Sequence, residues 1–411
     1  MRSEFLPFSP PLIGEEEIAE VVDTLRSDWI TTGPKVKRFE EEFAAFVNGP
    51  EALAVSSCTA ALHLALLALE IGPGDGVITS SLTFCSAVHV IEHVGARPIL
   101  VDVEPDTLNL DVSNVRRAIE HAKRDYGVIV KAIMPVHLYG QPCDLDALLA
   151  LAEKHKLAII EDAAHSLPTK YRGAMIGSHA GSARVPVLTC FSFYATKNLT
   201  TAEGGMLVST AELLEKARVW SLHGMNRDAW KRYGAAGSWR YEVVCPGYKY
   251  NMSDLQAAIG IRQLRKLPEF HTRRKQIVDQ YSTRFSKCEQ VQIPIETPGT
   301  EHAWHLYVLR LNLETLTITR DEFISQLKSR NIGASVHFIP IHLHSYYRQK
   351  YGYLADDFPV AWSEFQRIIS LPLSPRMERE DTNDVIDAVT DIVRQQSSRI
   401  ENSKRIGVAS V

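Results

Sequence analysis

The spacing of apolar positions shifts along the chain, and each shift predicts a different element. Ile18, Val21, Val22 and Leu25 recur at helical spacing behind an acidic start at 15–17, which predicts an amphipathic helix. After the turn Thr31-Thr32-Gly33-Pro34, a second helix carries Phe39, Phe43 and Phe46. The segment following Ser56-Ser57-Cys58-Thr59 reads as a buried helix, with Leu62, Ala65, Leu66 and Leu69 on one face. A strand at 52–55 precedes it. Short continuous apolar runs then appear at 77–79, 98–103, 129–135 and 157–161, with helical segments between them near 84–95, 112–125 and 144–155. Two further strands are predicted at 187–193 and 205–209. Apolar strands alternating with helices predict an α/β architecture built on a mostly parallel sheet.

From 226 to 248 the chain turns aromatic, basic and glycine-rich, which predicts a long loop. A helix over 253–267 leaves this region. The remainder is more mixed, with strands near 304–312 and 334–339 and helices near 320–330 and 380–396. The expected organisation is a large domain over 1–265, whose N-terminal segment packs on the small domain, and a smaller C-terminal α/β domain over 266–411.

Composition narrows the function classes. Lys and Arg total 45 against 49 Asp and Glu, a net charge of −4, so no basic footprint points to nucleic acid. Apolar residues make up 45% and charged residues 23% of the chain, a globular rather than a disordered balance. No run of about 18 apolar residues suggests a membrane span. Six cysteines without a CxxC pair argue against a disulfide framework or a cysteine zinc site. The first residues lack the core and cleavage site of a signal peptide, so the expected setting is a reducing cytoplasm. His337, His342 and His344 match no zinc spacing, and Gly72, Gly74 and Gly76 do not form a dinucleotide fingerprint. No metal is expected.

Ligands of open α/β sheets bind beyond the carboxyl ends of the strands. Four such ends carry chemistry. Glu161-Asp162-Ala163-Ala164-His165 follows one, and Tyr194-Ala195-Thr196-Lys197 another. Ser57-Cys58-Thr59 opens a helix after a third, and Phe84 follows a fourth. They offer a carboxylate, a lysine, a helix N-terminus for an anion and an aromatic plate. A helix N-terminus holds phosphate. A lysine among apolar neighbours can have a lowered pKa and form a Schiff base. A carboxylate keeps a pyridinium nitrogen protonated, so pyridoxal phosphate needs these partners. Each residue alone also fits a structural role: Asp162 as a helix cap, His165 and Phe84 as core, Asn251 as a turn residue.

Several motifs in order decide between these readings. They are Phe191-Ser-Phe-Tyr-Ala-Thr-Lys197-Asn-Leu-Thr-Thr-Ala-Glu203-Gly-Gly205, Glu161-Asp-Ala-Ala-His165, Pro135-Val-His-Leu-Tyr-Gly140, His223-Gly224, Tyr250-Asn-Met-Ser-Asp254 and Val336-His-Phe-Ile-Pro-Ile-His342. With them the chain resembles the DegT/DnrJ/EryC1/StrS sugar-nucleotide aminotransferases, fold-type-I pyridoxal-phosphate enzymes, over nearly its whole length. The resemblance implies that Lys197 is the Schiff-base lysine and that Asp162 pairs with the pyridine nitrogen. It places His165 near the phenolic oxygen and Phe84 on the ring face. Ser57, Cys58, Thr59 and Ser192 would hold the phosphate. Asn251 would reach the cofactor of the other subunit, which implies a homodimer. Thr32, Tyr194 and His337 are candidate substrate contacts. Many relatives carry Gly where this chain has Cys58, so a thiol reagent could act there.

The implied reaction is ping-pong transamination with L-glutamate as donor, yielding 2-oxoglutarate and a pyridoxamine phosphate form that aminates a nucleotide-linked ketosugar. The segment around Lys197 and the stretch 336–342 resemble members acting at C4 of a UDP- or dTDP-linked sugar. A C3-specific or cyclitol aminotransferase and a non-catalytic regulator are the alternatives. Dehydratase relatives carry His in place of the lysine, and Lys197 argues against that class.

Overall fold

The apolar runs become strands because both of their faces are buried. The computed structural model describes residues 2–181, 184–225 and 241–408, with only the backbone of 398–408. The predicted loop therefore falls outside the described residues from 226 to 240, together with Arg227 and Arg240. The central sheet has seven strands, in the order Glu51–Val55, Gly205–Ser209, Val187–Ser192, Ala158–Asp162, Ile129–Met134, Asp75–Ser80 and Arg97–Val101. Gly205–Ser209 is antiparallel to both neighbours, and the other adjacent pairs are parallel. Ile78, Ile133 and Ile159 face one apolar core, and their neighbours Val77, Ala132 and Ile160 face another. A strand with a period of two and a core on each side must be apolar throughout. Helix Cys58–Ala68 is apolar around its whole circumference and is buried accordingly.

A second sheet joins Val291–Gln292, Tyr307–Leu311 and Ile368–Leu371. Helix Asp254–Phe285 runs on well past the predicted 267. It packs Ala257, Ile261 and Leu264 into the first core and Ile277, Tyr281 and Phe285 into the core beneath the second sheet. A capping box between Ser253 and Gln256 fixes its start. Residues 2–10 lie along the second sheet, where Leu6 N–H donates to the Asn331 carbonyl at 2.8 Å.

Two expectations are corrected. Helix Glu15–Arg26 exists, but Ile18 and Leu25 point to solvent while Glu17, Glu20 and Thr24 are buried. Helix Asp254–Phe285 presents Arg262 to Glu20 at 2.7 Å and Lys266 to Glu17 at 2.8 Å, so paired carboxylates rather than apolar side chains fill that seam. The predicted strand at 334–339 is irregular, and only Ser335 bridges to Ser370. Pro340 lacks the N–H a ladder needs, and the third strand of the small sheet comes instead from Ile368–Leu371.

Candidate active site

The five parallel strands and Glu51–Val55, which runs the same way, end at one edge of the central sheet. Asp162 is the last residue of one strand and Ser192 the last residue of another. Ser57 caps the helix that follows Glu51–Val55, its hydroxyl accepting the Ala60 N–H at 3.1 Å. The first N–H groups of that helix, at Cys58 and Thr59, have no intrahelical acceptor and face a cavity of about 540 Å3. Gly205 lies against this turn. A Cβ there would come within 2.4 Å of the Ser57 carbonyl carbon and 2.6 Å of the Cys58 nitrogen, so only glycine lets the antiparallel strand pass.

Ten of the predicted residues line this cavity. Ser57, Cys58, Thr59 and Ser192 form one end. Asp162, Lys197, His165 and Phe84 surround the middle, and Tyr194 and His337 border it. Thr32 and Asn251 do not line it. They bond to one another elsewhere, the Asn251 amide donating to the Thr32 hydroxyl at 2.6 Å, and Thr32 lies beside Trp29 in a separate groove.

The electrostatics follow from burial. Lys197 is half-buried, and loss of hydration lowers its ammonium from the usual value to about 8, with the Asp162 charge opposing the shift. Burial raises the Asp162 carboxyl, opposed by the Ala164 N–H and the Lys197 charge. The hydrogen bonds from Ala164 at 3.1 Å and from the Cys58 thiol at 3.9 Å both end on Oδ1, which leaves Oδ2 as the acceptor facing the cavity. Burial and the adjacent Asp162 push the Cys58 thiol well above its ordinary value.

Burial and the Lys197 charge keep His165 far below its ordinary pKa. Its Nδ1 accepts the Tyr139 N–H at 3.2 Å, so the neutral ring carries its proton on Nε2.

Three further rings line the cavity, those of His305, Phe338 and Phe8. His305 stacks on His165 with ring centroids 4.4 Å apart. Asn198 donates its amide to the Leu167 and Ala303 carbonyls, which turns its Oδ1 toward His305 Nδ1 at 3.2 Å. Phe338 lies 5.6 Å from Phe84 and 5.9 Å from His165. Phe8, from the N-terminal segment, stacks on His337 at 5.2 Å. His305 reads in the sequence as part of a strand, and Phe8 as part of a proline-rich leader. Phe338 sits inside the motif at 336–342 and was within reach there.

Pyridoxal phosphate fits this donor set part by part. A helix N-terminus with a serine cap could hold the phosphate. The open carboxylate oxygen of Asp162 matches a protonated ring nitrogen, and a lysine of lowered pKa lies across the same cavity.

The fold and the site together define a pyridoxal-phosphate-dependent aminotransferase, and comparison with known proteins gives its family. Residues 11–390 match the DegT/DnrJ/EryC1/StrS aminotransferase family, to which the chain belongs. It is 51% identical over 395 residues to the spore coat polysaccharide biosynthesis protein SpsC of Bacillus subtilis, covering 96% of this chain and 98% of SpsC. Spr1654 of Streptococcus pneumoniae in its PMP form superposes with a TM-score of 0.86 at 36% identity, covering 95% and 99% of the two chains. The PLP form of the same protein gives 0.84 at 35% identity, with the same coverage. Helicobacter pylori PseC, an aminotransferase involved in the biosynthesis of pseudoaminic acid, gives 0.84 at 25% identity, covering 96% and 100%. Among the described residues, no helix is long and apolar enough to cross a membrane.

Proposed function

We propose that the protein transfers the amino group of L-glutamate to C4 of a UDP- or dTDP-linked 4-keto sugar, for polysaccharide or other glycan synthesis. The observation that carries this reading is the cavity itself, with Lys197 and Asp162 on its floor and neutral imidazoles and phenyl rings on its walls. The similarity to SpsC supports the polysaccharide context, and the motif around Lys197 supports C4. When bound, pyridoxal phosphate supplies an electron sink for the α-carbon and carries the amino group from donor to acceptor.

This chain's residues do the rest. Ser57, Cys58 and Thr59 bind the phosphate through backbone and hydroxyl groups, with Ser192 opposite. Asp162 accepts the ring N–H on Oδ2, and His165 donates its Nε2 proton toward the phenolic oxygen. Phe84 covers the ring and keeps water from it. With a pKa near 8, Lys197 is partly neutral at physiological pH and could take the proton from the donor's α-carbon and hold it for return. Tyr194 and His337 contact the substrate. In a homodimer, Asn251 and its partner Thr32 reach the cofactor site of the second subunit, which accounts for their distance from the cavity in their own chain.

The test is spectroscopic. The near-visible band of the bound pyridoxal form should give way to the pyridoxamine band when L-glutamate is added. A UDP- or dTDP-linked 4-keto sugar should then restore it. Restoration only by a 3-keto sugar or by scyllo-inosose would move the reading to the C3 or cyclitol class. A band that ignores every amino donor would overturn the transamination itself.

A further inference from the structure

The N-terminal segment does more than cover the second sheet. Arg2 pairs with Asp384 at 3.0 Å, and Leu6 exchanges backbone bonds with Asn331 and Gly333 at 2.8 and 2.9 Å. The Leu373 N–H donates to the Phe8 carbonyl at 3.2 Å, and the Ser374 hydroxyl donates to Pro10 at 2.8 Å. The Ser9 hydroxyl lies 3.3 Å from the Leu373 carbonyl and 3.4 Å from that of Thr196, the residue before Lys197. These bonds hold residues 2–10 as a strap along the C-terminal part of the chain and set the half-buried Phe8 ring on the cavity wall.

The rings around the cavity form a row. His165 meets Phe338 at 5.9 Å, Phe338 meets His337 at 5.0 Å and His337 meets Phe8 at 5.2 Å. Along this path two rings, Phe338 and His337, separate Phe8 from His165. A phenyl face offers nothing to the two carboxylates of glutamate, whereas the C–H face of a pyranose packs well on an aromatic ring. A donor as small as glutamate need not reach Phe8, whereas a nucleotide sugar is long enough to do so.

We propose that Phe8 is a specificity-determining residue for the acceptor: its ring packs on the sugar of the nucleotide sugar and takes no part in the donor half-reaction. This rests on the proposed function above. The holoenzyme and its Phe8→Ala and Phe8→Leu variants provide the test, the leucine keeping an apolar side chain where alanine could loosen the strap. The donor half-reaction is read from the rate at which L-glutamate converts the pyridoxal band. The acceptor half is read from the concentration of 4-keto-6-deoxyhexose nucleotide, UDP- or dTDP-linked, that half-restores it. Calorimetric titration of the pyridoxamine form with the aminosugar nucleotide, which cannot react with it, gives binding without turnover.

Both variants should keep the donor rate within about twofold, while weakening acceptor use and product binding about tenfold. Free UDP and dTDP should bind the variants and the parent alike. Equal slowing of both halves, or equal weakening of free nucleotide binding, would overturn the assignment. Unchanged acceptor binding in both variants would also overturn it, with the aminotransferase reading intact. Failure of the parent enzyme to accept any keto sugar nucleotide would remove the reading and this inference together.

Discussion

The floor and the wall of the cavity are built in different ways. The floor comes from strand ends: Asp162 and Ser192 close two neighbouring parallel strands, and Ser57 caps the helix after a third. Each side chain there is one short step from a ladder of backbone hydrogen bonds. The wall comes from irregular chain: His305 before Tyr307–Leu311, His337 and Phe338 in a segment with a single bridge, and Phe8 in the N-terminal strap. A rigid floor suits chemistry that both half-reactions share. A wall assembled from distant loops can change its side chains without disturbing that chemistry. The division of labour predicted from this is that floor substitutions remove catalysis and wall substitutions redistribute it between substrates.

The sharpest way to break that contrast is Lys197→Ala. It should reduce both half-reactions by at least about 10^4-fold, measured in single turnovers with each substrate. Asp162→Asn keeps the shape and removes the charge. It should slow both halves about 100- to 1,000-fold, and a loss confined to one half would show that Asp162 belongs to the wall.

The lysine itself gives a pH test. Below a pKa of about 8 the amine is protonated and cannot attack an aldehyde. Uptake of pyridoxal phosphate by apoprotein should therefore rise about tenfold per pH unit up to about 8 and level off above it. A plateau reached only near 10 would mean that the cavity does not desolvate Lys197. His305→Ala gives the smallest effect. It should raise the ketosugar requirement several-fold and change the glutamate rate less than twofold, because the imidazole stacks on His165 and bonds to Asn198 rather than to Lys197 or Asp162.

The same contrast explains what the sequence made legible. The floor could be read because a strand buried on both faces is a continuous apolar run, and the residue that ends the run sits at the site. Asp162 ends such a run, Ser57 and Lys197 follow two others within a few residues, and the three meet in one cavity. The wall depends on contacts between residues far apart in the chain. Phe8 and His337 are 329 positions apart, 337 − 8, and their stacking leaves no local pattern. The strand predicted at 334–339 failed for a related reason: Val336 packs against a core and Phe338 lines the cavity, so neither serves a ladder. Helix Glu15–Arg26 misled in the opposite sense. Its apolar stripe was plain, but two buried ion pairs outcompete it for the inward face, and an ion pair is visible only once the facing helix is known.

Helix Asp254–Phe285 has a mechanical consequence. At 1.5 Å per residue its 32 residues form a rod about 48 Å long. One half is embedded beneath the floor and the other beneath the wall. Early in the second half, the buried Arg274 donates to the carbonyls of His305 and Leu373, at 3.3 and 3.0 Å. Neither core can loosen without stripping apolar surface from a helix that the other still grips. The two cores should therefore melt together in a single cooperative step, and Pro268, which interrupts the helix's hydrogen-bond ladder between them, marks where the rod can flex.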